Sequence, residues 1–74
     1  MSITDEQRKD IINRFSYHVP KGDQQERYAK LNEAFQELAL LIADITPYSR
    51  EQSMAISQLW IARMIANGTI AVNE

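Results

Sequence analysis

Apolar positions along the chain fall into three groups separated by two short polar stretches, and each group carries the period of a helix. The middle group is the clearest. Tyr28, Leu31, Phe35, Leu38, Ile42 and Ile45 recur at spacings of 3, 4, 3, 4 and 3, which is a heptad seam that puts every one of them on one helix face. Ala34, Leu40, Leu41 and Ala43 widen that stripe beyond what a single partner helix covers, so a second contact surface is expected. In the third group Met54, Ala55, Ile56, Leu59, Trp60, Ile61, Ala62, Met64, Ile65 and Ala66 leave almost no polar face. A helix apolar on nearly all sides has to be buried on nearly all sides. The first group is short: Ile11, Ile12 and Phe15.

Capping and breaking residues set the limits of these elements. Thr4 followed by Asp5, Glu6 and Gln7 reads as a capping box with two acids at the positive end of the helix dipole. A short helix over about 4–15 is predicted, ending in the stretch from Ser16 to Gly22, where Val19 is pushed toward extended backbone by Pro20. Asp23 with Glu26 reads as a second capping box, and neither glycine nor proline follows until Pro47. One helix over about 23–46, roughly 23 residues and roughly 35 Å long, is the simplest outcome. Ser49 with Gln52 opens a third helix whose stop signal is Asn67-Gly68, although Thr69 to Val72 extend the pattern by another turn. The third helix is therefore expected over about 49–67, or to 72. The predicted fold is all-α: a short N-terminal helix followed by an antiparallel two-helix hairpin in a single domain, residues 1–74.

Composition turns this hairpin into an assembly problem. The chain has 74 residues, 45% of them hydrophobic, with two glycines, two prolines and no cysteine. So short a chain buries too little apolar surface alone, and it has neither a disulfide nor a thiolate zinc site to compensate. Homo-oligomerisation is the expected remedy. Eight basic residues against ten acidic ones leave a net charge of -2, which supplies no global field for duplex DNA or an anionic membrane. No run approaches the roughly 20 apolar residues of a membrane-spanning helix, and the start MSITDEQRKD has no apolar core of a secretion signal. A cytoplasmic protein without DNA or membrane partners is expected.

Catalytic chemistry finds little footing. His18 is the sole histidine, no serine sits in a nucleophile elbow, and no GxxxxGK[ST], GxGxxG or HExxH spacing occurs. Glu33, Glu37 and Asp44 lie beside the heptad stripe as a solvated face. Neither an enzyme nor a metal or cofactor site is expected. The loop before the second helix differs: Tyr17 and His18 place two flat rings next to Pro20, Lys21 and Gly22, just ahead of a helix N-terminus. Aromatic rings stack on nucleobases, lysine supplies a point charge, and free backbone N–H groups favour an anion. Arg27 and Lys30 follow within two turns, and six of the eight basic residues fall within the first thirty positions. The competing reading is structural, with Phe15 and Tyr17 closing the core and the acids Asp23 and Glu26 occupying the helix end. Trp60 reads as a packing residue between hairpins. Arg63 reads as half of an interface ion pair or as an anion contact.

Taken together, RFSYHVPKGDQQERY at 14–28, TPYSREQSMA at 46–55 and ANGTIAVN at 66–73 resemble a family of small bacteriophage proteins, the anti-CBASS sponges, which share a helical hairpin with the Thoeris anti-defence sponges. The resemblance implies a non-enzymatic protein of the host bacterial cytoplasm that sequesters cyclic oligonucleotide messengers as a compact homohexamer with pockets between protomers. It also implies residue roles. Tyr17 corresponds to a tyrosine stacked on the bases of a cyclic dinucleotide. His18, Pro20 and Lys21 correspond to the loop shaping that pocket, and Arg27 and Tyr28 to an Arg-Tyr pair at the start of the long helix. Asn32 stands where relatives often carry a lysine or arginine directed at phosphate, so charge pairing is expected to be weaker unless Arg27 or Lys30 substitutes. Val72 replaces an arginine at the end associated with a second, trinucleotide pocket. Two other classes compete with the sponge: a helical adaptor whose apolar third helix serves a protein partner, and a helix-turn-helix binder, which the acidic balance disfavours.

Overall fold

Thr4 begins the first helix with both bonds of its capping box: its Oγ1 accepts from the Gln7 N–H at 3.1 Å, and its own N–H donates to Gln7 Oε1 at 2.9 Å. A computed structural model of the protein describes residues 3–74; the remainder of the expected domain, residues 1 and 2, lies outside the described residues. It holds three helices, α1 (Asp5–Phe15), α2 (Gln24–Ile45) and α3 (Arg50–Asn73), and no strand among the described residues.

The second helix starts differently from its predicted capping box. Asp23 has φ -90 and ψ 11 and makes no side-chain cap, because this backbone is not the extended one that turns a cap side chain onto the first amides. Its carboxylate instead accepts from Arg27 Nε at 3.1 Å, while Glu26 lies opposite Lys30 at 3.8 Å. Lys21 and Gln24 close the turn: the Lys21 N–H donates to Gln24 Oε1 and the Gln24 N–H to the Lys21 carbonyl, each at 3.1 Å. Gly22 sits between them at φ 59, the one positive φ among the described residues. That left-handed step brings Gln24 back beneath Lys21.

A short link joins the long helices, and Gln52 ties it down. Ser49 Oγ accepts from the Gln52 N–H at 3.1 Å, and Gln52 Nε2 donates to the carbonyls of Ala43 and Thr46 and to Thr46 Oγ1 at 3.0–3.2 Å. At its far end α3 runs through Asn67-Gly68 to Asn73. Tertiary contacts override the local stop signal. Asn67 turns its amide to α2, where Nδ2 donates to Asn32 Oδ1 at 3.2 Å, and Asn13 Nδ2 of α1 donates to the Val72 carbonyl at 2.9 Å. Ile70, 8% exposed, is the one buried apolar residue among the described residues. Burying such a side chain contributes roughly 1.5–3 kcal/mol, against about 1 kcal/mol for a helical glycine.

Packing of α2 on α3 follows the heptad with one shift. Tyr28, Leu31, Phe35, Ala39 and Ile42 are half-buried opposite Ala55, Ile56, Leu59, Ala62 and Ala66, whereas Leu38 and Ile45 are 43% and 71% exposed. Small Ala39 takes the seam position, so Leu38 turns to the open side. The result is a single layer of helices. Cα atoms extend 48 × 37 × 13 Å with a radius of gyration of 16.3 Å, against about 11.3 Å for a globule of this length. Accessible area is 6239 Å², whereas a compact monomer of 8.5 kDa would expose about 4,650 Å². A stable domain needs two layers around its core. This chain supplies one.

Candidate ligand-binding site

The α1–α2 loop does not lie on the hairpin; it stands beside the end of α3 and leaves a pocket of about 420 Å³. Asn13, Tyr17, His18, Val19, Lys21 and Gln24 form one side, and the segment Ala71 to Glu74 forms the other. Asn13 organises both sides: its amide holds the Val72 carbonyl, and its own carbonyl accepts from His18 Nε2 at 2.7 Å. That bond assigns the ring proton to Nε2 and leaves Nδ1 for another partner. The extension of α3 past Gly68 is therefore what gives the loop pocket its second wall.

Tyr17 and Phe15 do not close the core. They are 85% and 86% exposed, so the structural reading of these rings fails within the protomer, and Tyr17 is presented at the mouth of the pocket. Lys21 has no carboxylate within ion-pair distance among the described residues, and its ammonium is free for an anion. Pro20 is exposed and outside the pocket wall. Tyr28 is half-buried in the hairpin seam, not aimed into the pocket.

Arg27 is already engaged. Nη1 donates to Glu74 Oε2 at 2.8 Å, Nη2 donates to Glu74 Oε1, and Nε donates to Asp23 Oδ1. Gln24 Nε2 adds a bond to Glu74 Oε1 at 3.2 Å. These Arg27 bonds first, then the Gln24 bond, hold the Glu74 carboxyl down to about 2, with Lys21 contributing through its charge. The Glu74 bonds first, with the charge of Asp23, raise Arg27 above its ordinary value. Lys30 faces Glu26, so neither of the two cations expected to stand in near Asn32 is free of a carboxylate.

Asn32 lies elsewhere, in a groove of about 400 Å³ along the hairpin, with Phe35, Gln36, Trp60 and Arg63 among its lining residues. Its Oδ1 accepts from Arg63 Nη1 at 3.4 Å as well as from Asn67 Nδ2. Among the described residues Arg63 thus meets an amide and no carboxylate, and Asn67 Oδ1 is buried without a partner. The sequence-derived candidates divide between two places: Tyr17, His18 and Lys21 converge, with Arg27 behind Glu74, whereas Asn32 joins Arg63. Asn13, Gln24 and Glu74 were missed. The three-residue spacing of Lys21 and Gln24 is a local signal for the second of these, but Glu74 meets Arg27 across 47 residues and has no local signal. Among the described residues no cluster of metal-ligating side chains occurs and no helix is long and apolar enough to cross a membrane.

A family model described as Acb2/Tad1, hairpin domain, matches residues 7–71. Comparisons with curated proteins and with solved structures gave no significant match.

Proposed function

The chain belongs to the Acb2/Tad1 hairpin family of anti-CBASS and anti-Thoeris sponges, and from that premise we propose that it is a non-catalytic sponge for cyclic dinucleotides, acting in the host bacterial cytoplasm. The observation that carries the reading is the pairing of an exposed Tyr17 ring with an unpaired Lys21 in a pocket built from the ends of all three helices. A base stacks on Tyr17, a phosphate meets Lys21, and His18 Nδ1 accepts from a base or ribose donor. Val72 is aliphatic where the resemblance puts an arginine associated with a second, trinucleotide pocket, so the dinucleotide is the preferred cargo.

Assembly completes the site. The protomer exposes about 1,600 Å² more than a compact chain of its mass, equal to about two standard contact patches of about 800 Å² each. Two kinds of contact per protomer generate closed assemblies larger than a dimer, and a hexamer of threefold and twofold axes is the expected form. A pocket of about 420 Å³ is small within the usual range of roughly 300–1,000 Å³, so a second copy supplies the remaining wall around a two-base ring.

Calorimetry with cyclic dinucleotides tests this directly. Wild-type protein should bind and, after denaturation, release the ligand chemically intact; a linearised product would make the protein an enzyme instead. Tyr17→Ala should abolish binding with the assembly unchanged, and normal binding by that variant would remove the site assignment. The adaptor reading rests on the exposed Trp60 face. It is favoured if the isolated protein is a monomer that binds no cyclic nucleotide.

A further inference from the structure

Glu74 sits in the loop pocket as an anion would. Its two carboxylate oxygens accept from both terminal nitrogens of Arg27 and from the Gln24 amide, in the pocket that Lys21 also lines. A guanidinium fork meeting two oxygens, with an amide at the side, is the geometry that recognises a phosphate as readily as a carboxylate. We propose that Glu74 is a resident anion: it occupies a phosphate-binding position built from Arg27 and Gln24, and a ligand has to displace it, so Glu74 sets the selectivity of the pocket. The proposal rests on the sponge reading for the identity of the natural cargo, but not for the existence of the anion position.

Selectivity follows from competition. An intramolecular carboxylate is present at high effective concentration, so an anion that offers nothing but its charge does not displace it. A cyclic dinucleotide adds base stacking on Tyr17 and a second phosphate for Lys21. It therefore opens the contact where a bare phosphate fails. Arg27 exposes 37% and Glu74 40% of its side chain, so the pair opens toward solvent without unpacking the hairpin.

Glu74→Gln tests the displacement, with cyclic di-AMP and inorganic pyrophosphate as probes in calorimetry. If the position is open one-tenth of the time in the wild type, the variant binds cyclic di-AMP about tenfold more tightly. Pyrophosphate, which the wild type rejects, is bound by Glu74→Gln, so the ratio between the two probes narrows. Arg27→Gln breaks the same ion pair but removes the donors; it should weaken cyclic di-AMP binding and gain no pyrophosphate. That opposition separates a displaced anion from a mere loosening of the α2–α3 contact, which would move both variants alike. The inference is overturned if Glu74→Gln, with native helix content and assembly size, fails to gain pyrophosphate, or if Arg27→Gln gains it too. Failure of wild type and Glu74→Gln to bind cyclic di-AMP, with pyrophosphate still gained, would instead remove the sponge reading and leave the anion position standing.

Discussion

The same substitution should have opposite effects at the two glycines. Gly68 lies inside α3 with helical backbone, and a Cβ built there meets nothing within 4 Å; Gly22 meets nothing either, but its φ is 59. Space is therefore equal and conformation decides. In a helix interior, alanine is better than glycine by about 0.8–1 kcal/mol, whereas forcing an L-residue into the left-handed region costs about 1–2 kcal/mol. With an unfolding entropy of about 2.1 cal/mol/K per residue, a chain of this length changes its Tm by about 6 °C for each kcal/mol. Gly68→Ala should raise Tm by about 5–6 °C and Gly22→Ala should lower it by about 6 °C or more. Far-ultraviolet circular dichroism melts at one fixed protein concentration measure both, because the stability of the proposed oligomer would depend on that concentration. A lowered Tm for Gly68→Ala would refute the open space assigned there. Gly68 borders Ile61, Met64 and Ile65 in a shallow groove, and a fall would mean that another copy packs against that groove too closely for a methyl group.

Three further outcomes follow from the same geometry. Gln52→Ala removes the three bonds that the Gln52 amide makes to Ala43 and Thr46 across the hairpin link and should cost about 1–2 kcal/mol of stability, read as a lower urea midpoint; an unchanged midpoint would show the link to be held otherwise. Trp60→Glu places a charge on the face that a second copy is expected to cover, so light scattering should report smaller species, and wild-type assembly size would exclude Trp60 from the contact. Glu74 has a folded-state value of about 2 against an ordinary 4.5, a depressed carboxyl whose stabilising pair is fully present above the ordinary value and is lost as pH falls through about 2. The difference in urea midpoint between wild type and Glu74→Gln should shrink across that window, and a constant difference would deny the pairing.

Helix identity was legible in the sequence because it is a local property. Thr4 with Gln7 and Ser49 with Gln52 each satisfy orphan amides within three residues, and the heptad in α2 needs only its own spacing to define a face. What the pattern missed depends on partners distant in sequence. Asn67-Gly68 is a sound stop signal until Asn67 finds Asn32 and Val72 finds Asn13, and Leu38 belongs to the seam until the smaller Ala39 allows α3 to approach from one position further round. At the site, the adjacency of Tyr17, His18 and Lys21 in the chain revealed their convergence. Counting charges did not reveal which were free: Arg14 pairs with Asp10, Arg27 with Asp23 and Glu74, and Lys30 with Glu26.

That neutralisation changes what kind of recognition the pocket supports. Three of the six basic residues gathered in the first thirty positions are matched by carboxylates, so their sum attracts no long polyanion. Lys21 is the unpaired cation of the pocket among the described residues, and the small cyclic anion of the proposed function would gain more there from Tyr17 stacking and from walls that exclude water than from the field of the whole protein. Walls, however, are what a one-layer protomer lacks. Its pocket is open beside Tyr17, and its hairpin presents Trp60 and its aliphatic neighbours to solvent. In the proposed assembly a second helical layer would cure both deficits at once, burying the apolar face while closing over the ring of a ligand. Under the proposed function assembly and binding are linked: a ligand that bridges two copies would stabilise the contact between them, and dilution that separates the copies should also weaken binding.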